Sequence, residues 1–258
     1  MKVLVRLGIL ALWLLPRPAA AFDVRLFAKL LDAHTRSVDD TAGTRVDYVA
    51  LRDDPDWTRL VASLAAAGAP SESASRAERL AFWIDAYNVL AMKLVVEHWP
   101  VASIRDVGSL LWPVWKRTAG VVGGRSISLD EIEHRILRPI GDPRIHMAIV
   151  CASTSCPSLA REPFEAARLD AQLDAAAARF VADPRKGVRV EAQLVRLSSI
   201  FDWFASDFEA GGGVLAFVRR HASMELRAAL DRLGPDPSLA YFDYDWSLNG
   251  AGAAQRAP

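Results

Sequence analysis

Apolar residues recur at three- and four-residue intervals through residues 75–98. There Leu80, Trp83, Ile84, Tyr87, Leu90, Ala91, Leu94 and Val95 make one stripe, and Phe82, Val89 and Val96 repeat at seven-residue spacing on the other side. A helix apolar nearly all round belongs in the middle of a domain. The same periodicity, carried by Val24, Phe27, Leu30 and Leu31, predicts a helix over residues 22–35. Further helices are expected over 55–67, 164–181, 199–207 and 213–233. Residues 45–51 are expected as a short strand, and 114–120 with 125–129 as a hairpin around Gly123-Gly124, a pair that tolerates positive φ. A second hairpin is expected over 188–197, a strand over 144–151, and an alternating closing strand over 241–246. Ser128-Leu129-Asp130-Glu131 is a capping box stapled by Ile127 and Ile132, and its helix should end near Arg138. Helices and strands mix without a steady βαβ rhythm. The fold class is therefore α+β: a single domain over 22–249 with a long buried central helix packed on a mixed or antiparallel sheet with hairpins.

The first residues follow a different plan. Lys2 and Arg6 precede an apolar run from Leu7 to Leu15 and the small residues Ala19, Ala20 and Ala21, which describes a cleaved secretory signal peptide over 1–21. The run falls well short of the roughly 20 apolar residues that span a bilayer. The expectation is an exported protein, periplasmic or secreted, with no transmembrane segment after cleavage and a disordered tail over 250–258.

Composition narrows the function classes. The 258 residues carry 31 Lys+Arg against 31 Asp+Glu, and loss of Lys2, Arg6 and Arg17 would leave the acids three in excess. Duplex-binding proteins carry a basic excess to displace phosphate counterions, so nucleic acid is not an expected partner. The 52% apolar content excludes a disordered chain, and two cysteines exclude a disulfide-dense miniprotein.

Both cysteines, Cys151 and Cys156, flank the turn Ser153-Thr154-Ser155. In an exported protein this spacing suits a disulfide, a redox pair or a thiol nucleophile. On a regular strand at about 3.3 Å per residue, His146 would lie roughly 16 Å from Cys151, too far for a direct nucleophile and base pair. Glu133 falls within the apolar stripe of Leu129, Ile132, Ile136 and Leu137, where a carboxylate is costly without a partner. It either pairs with Arg138 or Arg144, orients His146, or serves as a general acid or base of raised pKa. His134 sits at the edge of that stripe. Asp85 and Asn88, between the two apolar faces of the long helix, need hydrogen-bond partners in loop backbone or in a substrate. Trp112 and Trp115 offer an aromatic platform. No Walker loop, G-x-G-x-x-G, H-E-x-x-H or G-x-S-x-G occurs, so no cofactor is indicated.

Four segments in order resemble the domain of unknown function family numbered 547. They are Ala81-Phe-Trp-Ile-Asp-Ala-Tyr-Asn88, Ser128-Leu-Asp-Glu-Ile-Glu-His-Arg-Ile-Leu-Arg138, Asp142-Pro-Arg-Ile-His-Met-Ala-Ile-Val-Cys-Ala-Ser-Thr-Ser-Cys-Pro157 and Tyr244-Asp-Trp-Ser-Leu-Asn249. The resemblance spans about residues 47–249, with Asp85 standing where the family pattern Trp-Ile-Asn-Ala-Tyr-Asn has its first Asn. It implies an exported bacterial member of a family whose plant relatives add a leucine-zipper segment, and it implies no activity or catalytic residues. Two functional readings follow from the residues themselves. In the first, a thiol-dependent hydrolase or acyl/peptidyl transferase of the cell envelope uses Cys151 or Cys156 as nucleophile and His134 or His146 as base. Glu133 orients that base, and the backbone of Ser153, Thr154 and Ser155 holds the oxyanion. In the second, a non-catalytic envelope binding module uses a Cys151–Cys156 disulfide to clamp a recognition turn.

Overall fold

A computed structural model describes residues 21–109 and 111–252. The expected signal peptide, except for Ala21, lies outside the described residues, as does the tail beyond Gly252. Of the remaining tail, Ala251 donates its N–H to Val46 O.

The long helix is Arg76–Glu97 (α4 in chain order), opened by the reciprocal capping box of Ser75 and Glu78. Its buried residues lie on all sides, including the whole stripe from Leu80 to Val95. Around it pack α1 (Val24–His34), the antiparallel pair β1 (Thr35–Ser37) and β2 (Thr44–Val46), α2 (Tyr48–Asp53) and α3 (Pro55–Ala66). The hairpin of β3 (Thr118–Val122) and β4 (Arg125–Ser128) crosses α4 at Gly120, where an added Cβ would sit 2.5 Å from a Leu90 methyl. Its turn places Gly123 and Gly124 at φ +58 and +76, as the glycine pair predicts.

A second apolar cluster is built from α6 (Leu169–Val181), the β5 (Val188–Glu191) and β6 (Leu194–Leu197) hairpin, α7 (Ser199–Trp203), α8 (Ala205–Phe208), α9 (Gly213–His221) and α10 (Met224–Arg232). Phe180, Phe201, Phe208 and Phe217 form its centre. Tyr244 packs against both clusters. The α+β class is borne out. Among the described residues the sheet component consists of two antiparallel pairs and one mixed sheet, in which β7 (Ser238–Tyr241) runs parallel to β6.

Several elements differ from the sequence expectation. The strand of 45–51 stops at Val46, because the Asp47 side chain accepts the Ala50 N–H and starts a helix. Residues 144–151 contain no strand. Asp142 caps Arg144, Pro143 occupies the first helical position, and Pro143–Met147 winds as a 3-10 turn despite its β-favouring composition. The single helix of 213–233 is two, since Ala222 is extended and Ser223 caps α10. The helix of 164–181 begins with the short 3-10 turn Ala166–Arg168. The closing strand ends at Tyr241, and residues 242–251 run back across the molecule.

Candidate functional site

The central helix fixes the backbone that carries the cysteines. Asn88, 2% exposed, donates from Nδ2 to Ala148 O at 3.0 Å and accepts the Val150 N–H on Oδ1 at 2.8 Å. One amide thus satisfies both backbone groups of the bend before Cys151. Asp85 accepts the Phe164 N–H on both carboxyl oxygens, at 3.1 and 3.2 Å, and burial raises its carboxyl well above the usual range. Both residues tie α4 to loop backbone, and neither lines the cavity at the cysteines. Replacing Asn88 by leucine strands a buried carbonyl and a buried N–H. The expected cost is about 2–5 kcal/mol of unfolding free energy, seen as a lower denaturation midpoint in urea.

Cys151 and Cys156 form a disulfide. Its loop is held by the returning C-terminal segment: Thr154 N donates to Ser247 O at 2.7 Å, Ser155 N to Asp245 O at 3.2 Å, and Asn249 N to Ala152 O at 2.9 Å. Ser155 Oγ accepts the Asp245 N–H at 2.9 Å. These bonds hold Ala152 in the left-handed region at φ +60, which an alanine adopts only when its surroundings impose it. They also narrow the oxyanion expectation, because the Thr154 and Ser155 N–H groups are already taken. From beneath, the buried Lys186 donates to Cys156 O at 2.7 Å and Ala42 O at 3.0 Å, and burial lowers its pKa to about 8.

The bridge lines a cavity of about 190 Å³ together with Glu133, His134 and His146. The five residues proposed for chemistry from the sequence therefore meet in one place. The 16 Å separation of His146 from Cys151 does not apply, because the 3-10 turn folds the intervening residues back. Glu133 and His134 are delivered by α5 (Leu129–Glu131), whose winding loosens to a π-helix over Ile132–Leu137. Single π turns of this kind are frequent at functional sites.

Charges behind the cavity form an ordered chain. Arg138 makes a two-pronged pair with Asp207, both contacts at 2.7 Å. Asp207 Oδ2 also accepts from His146 Nε2 at 2.8 Å. Partial burial would raise the Asp207 carboxyl, but Arg138 and His146 overcome it and hold the group well below the usual range. His146 is lowered, burial outweighing the pull of Asp207, so the neutral ring donates from Nε2 and leaves Nδ1 as an acceptor. Nδ1 lies 3.9 Å from Glu133 Oε1. Burial raises the Glu133 pKa to about 7, against a partly opposing field from Arg138. Tyr87 approaches Glu133 Oε2 at 3.5 Å. Neither expected arginine bonds Glu133: Arg138 is committed to Asp207, and Arg144 to Asp142, Asp170 and Asp174. His134 is also lowered, chiefly by burial, and Arg138 Nη1 donates to its Nδ1 at 3.0 Å.

Aromatic rings wall the cavity. Phe204 stacks on His146 at 4.1 Å, and Trp203, Tyr244 and Trp246 pack with centroids 4.5 to 5.8 Å apart. Trp115 joins them at 5.9 Å from Trp246, whereas Trp112 stands 67% exposed and apart from the cavity. Ser153 Oγ donates to the Tyr244 oxygen at 3.2 Å, and Tyr244 OH donates to Cys156 Sγ at 3.2 Å. Sequence reasoning missed Asp207, Tyr87, Tyr244 and Trp203. Tyr87 was hidden in an apolar stripe and Asp207 in a short helix without chemical context, although Tyr244 lies in a segment that the family resemblance had marked.

Among the described residues no helix is long and apolar enough to cross a membrane, and no group of three or more His, Cys, Asp or Glu residues is arranged to hold a metal. Residues 71–181 match the family described as "Protein of unknown function, DUF547". This bears out the resemblance over a shorter span than 47–249, covering α4, Glu133, both histidines and both cysteines but not Asp207 or Tyr244. No curated protein and no solved structure matches the chain.

Proposed function

We propose that this cavity carries out thiol–disulfide exchange, with the Cys151–Cys156 bridge as its reacting group. The observation that carries the reading is the asymmetry of the two sulfurs. Cys151 is partly exposed where it lines the cavity, while Cys156 is 3% exposed. Cys156 Sγ accepts hydrogen bonds from the Cys151 N–H at 3.0 Å and from Tyr244 OH at 3.2 Å, whereas Cys151 Sγ meets only hydroxyls, Ser153 Oγ at 3.1 Å and Tyr244 OH at 3.5 Å. An incoming thiolate attacks Cys151 Sγ, a new S–S bond forms there, and the bond to Cys156 breaks. The electron pair leaves on Cys156, where two donors stabilise a thiolate. A second thiol attacks the mixed disulfide, so two substrate thiols become one disulfide and both cysteines are reduced.

The rest of the cavity serves proton traffic. Glu133, with a pKa of about 7, holds a proton through most of the acidic range and can exchange it near neutrality. Asp207 fixes the ring orientation of His146 through Nε2, leaving Nδ1 turned towards Glu133. A hydrolase or acyl transferase would use the reduced state of the same site, but two of its three expected oxyanion donors, the Thr154 and Ser155 N–H groups, are engaged with Ser247 and Asp245. An inert clamp in a binding module leaves unexplained why the bridge faces a cavity containing a titrating carboxyl. Export to an oxidising envelope compartment, expected from residues 1–21, fits a bridge that forms and re-forms there.

The test is turnover. With excess dithiothreitol, the protein should accelerate reduction of a small mixed disulfide well above the uncatalysed rate, and Cys151→Ser should remove the acceleration. A rate equal to the buffer reaction at every pH from 6 to 8 would refute the proposal.

A further inference from the structure

A second cavity, about 690 Å³, adjoins the first and is lined in part by Ser103, Arg105, Ser109 and Pro113. Trp115 and Trp246 line both. The two spaces therefore border the same two rings, the narrower at the disulfide and the wider beyond the tryptophans. The narrow end is smaller than an ordinary small-molecule site, whereas the wide end falls within the usual range of about 300–1,000 Å³. A substrate that fills both has one side chain at Cys151 and a longer body running past Trp246.

The charge of the wide end selects that body. The Arg105 guanidinium lies 5.2 Å over the Trp246 ring, and among the described residues no carboxylate stands within 4 Å of it. Its neighbour Asp106 is engaged, with one carboxyl oxygen accepting the N–H groups of Ala102 at 3.1 Å and Ser103 at 2.9 Å. Of the two charged side chains lining the wide space, Arg105 is thus the one whose head group has no hydrogen-bond partner among the described residues, a cation held against an aromatic face and suited to a carboxylate arriving from outside.

Building on the exchange reading, we infer that the substrate is a polypeptide cysteine, reduced or in a disulfide, with an acidic residue a few positions away. The cysteine side chain enters the narrow end, the adjoining backbone crosses Trp115 and Trp246, and the acidic side chain meets Arg105. A free low-molecular-weight thiol reaches Cys151 but leaves the wide end empty.

The experiment measures bridge opening in the full oxidised protein by stopped-flow tryptophan fluorescence at low salt. The probes are N-acetylcysteine amide and two blocked hexapeptides, identical except for aspartate or lysine three residues from the cysteine. Rate constants are compared per thiolate. The aspartate peptide should react about tenfold faster than the other two, with the advantage shrinking as salt is added. Arg105→Glu should invert the order of the two peptides, a result that loss of folding cannot produce. Equal rates for all three probes would overturn the peptide substrate while leaving exchange intact. Failure of every thiol to open the bridge would overturn both.

Discussion

Incubated with a small aromatic disulfide, the Cys156→Ser protein should accumulate as a stable mixed disulfide on Cys151, while the Cys151→Ser protein stays unmodified. Both cysteines line the cavity, but Cys151 is partly exposed whereas Cys156 is only 3% exposed and bonded to Tyr244 OH. A lone Cys151 thiolate can attack an entering disulfide, and without Cys156 no internal thiol resolves the product. A lone Cys156, at 3% exposure, is much less accessible to the reagent. The modification rates should differ by about tenfold or more, read from intact mass over time, because the difference in access outweighs the larger thiolate fraction at Cys156. Stability cannot account for this difference. Either serine variant opens the same short loop, worth about 2 kcal/mol in the chain-entropy estimate, and both should lose a similar amount. Equal trapping of the two variants would remove the asymmetry on which the attack direction rests.

Glu133→Gln should flatten the pH dependence of both stability and exchange. Burial raises the carboxyl from its ordinary value near 4.5 to about 7. Below about pH 4.5 both folded and unfolded chains hold the proton, and Glu133 contributes no penalty. As pH rises towards 7 the unfolded chain ionises while the folded chain keeps its proton, so stability falls. Above about 7 the folded carboxylate is ionised and the full cost, on the order of 3 kcal/mol, is present. Glutamine keeps the shape and cannot ionise, so the variant should gain stability relative to the parent between pH 5 and 8 in urea titrations at each pH. Its exchange rate should also lose the inflection near pH 7, because the proton carrier is gone. A Glu133→Gln protein with the parent's pH profile in both measurements would exclude a titrating role for this residue.

Much of the scaffold was legible because its signals are local. The α4 stripe, the Ser128 capping box and the glycine turn of the β3–β4 hairpin each depend on residues within one element. The site was legible as a set of side chains and not as a geometry. Glu133 stood out as a carboxylate among apolar neighbours, and Cys151, Cys156 and His146 were grouped by proximity along the chain. The expected strand then held His146 and Cys151 apart. Capping by Asp142 with Pro143 at the first helical position outweighed the β propensity of Ile145, Ile149 and Val150, and no neighbouring strand supplies a ladder there. Asp207 and Tyr244 were beyond reach for a different reason. They enter the cavity from α8 and from the returning C-terminal segment, contacts 61 and 93 residues distant along the chain that no local pattern encodes.

Catalytic bridge and structural clamp separate most directly in one equilibrium measurement: redox titration of the intact protein in defined thiol–disulfide buffers, with the oxidised fraction read by alkylation and mass. Stabilisation of the Cys156 thiolate by the Cys151 N–H and Tyr244 OH should place the reduction potential between about −270 and −120 mV, the range of exchange-active pairs. A potential below about −300 mV, where structural disulfides lie, would contradict the exchange function and leave the bridge as a clamp on the 151–156 loop.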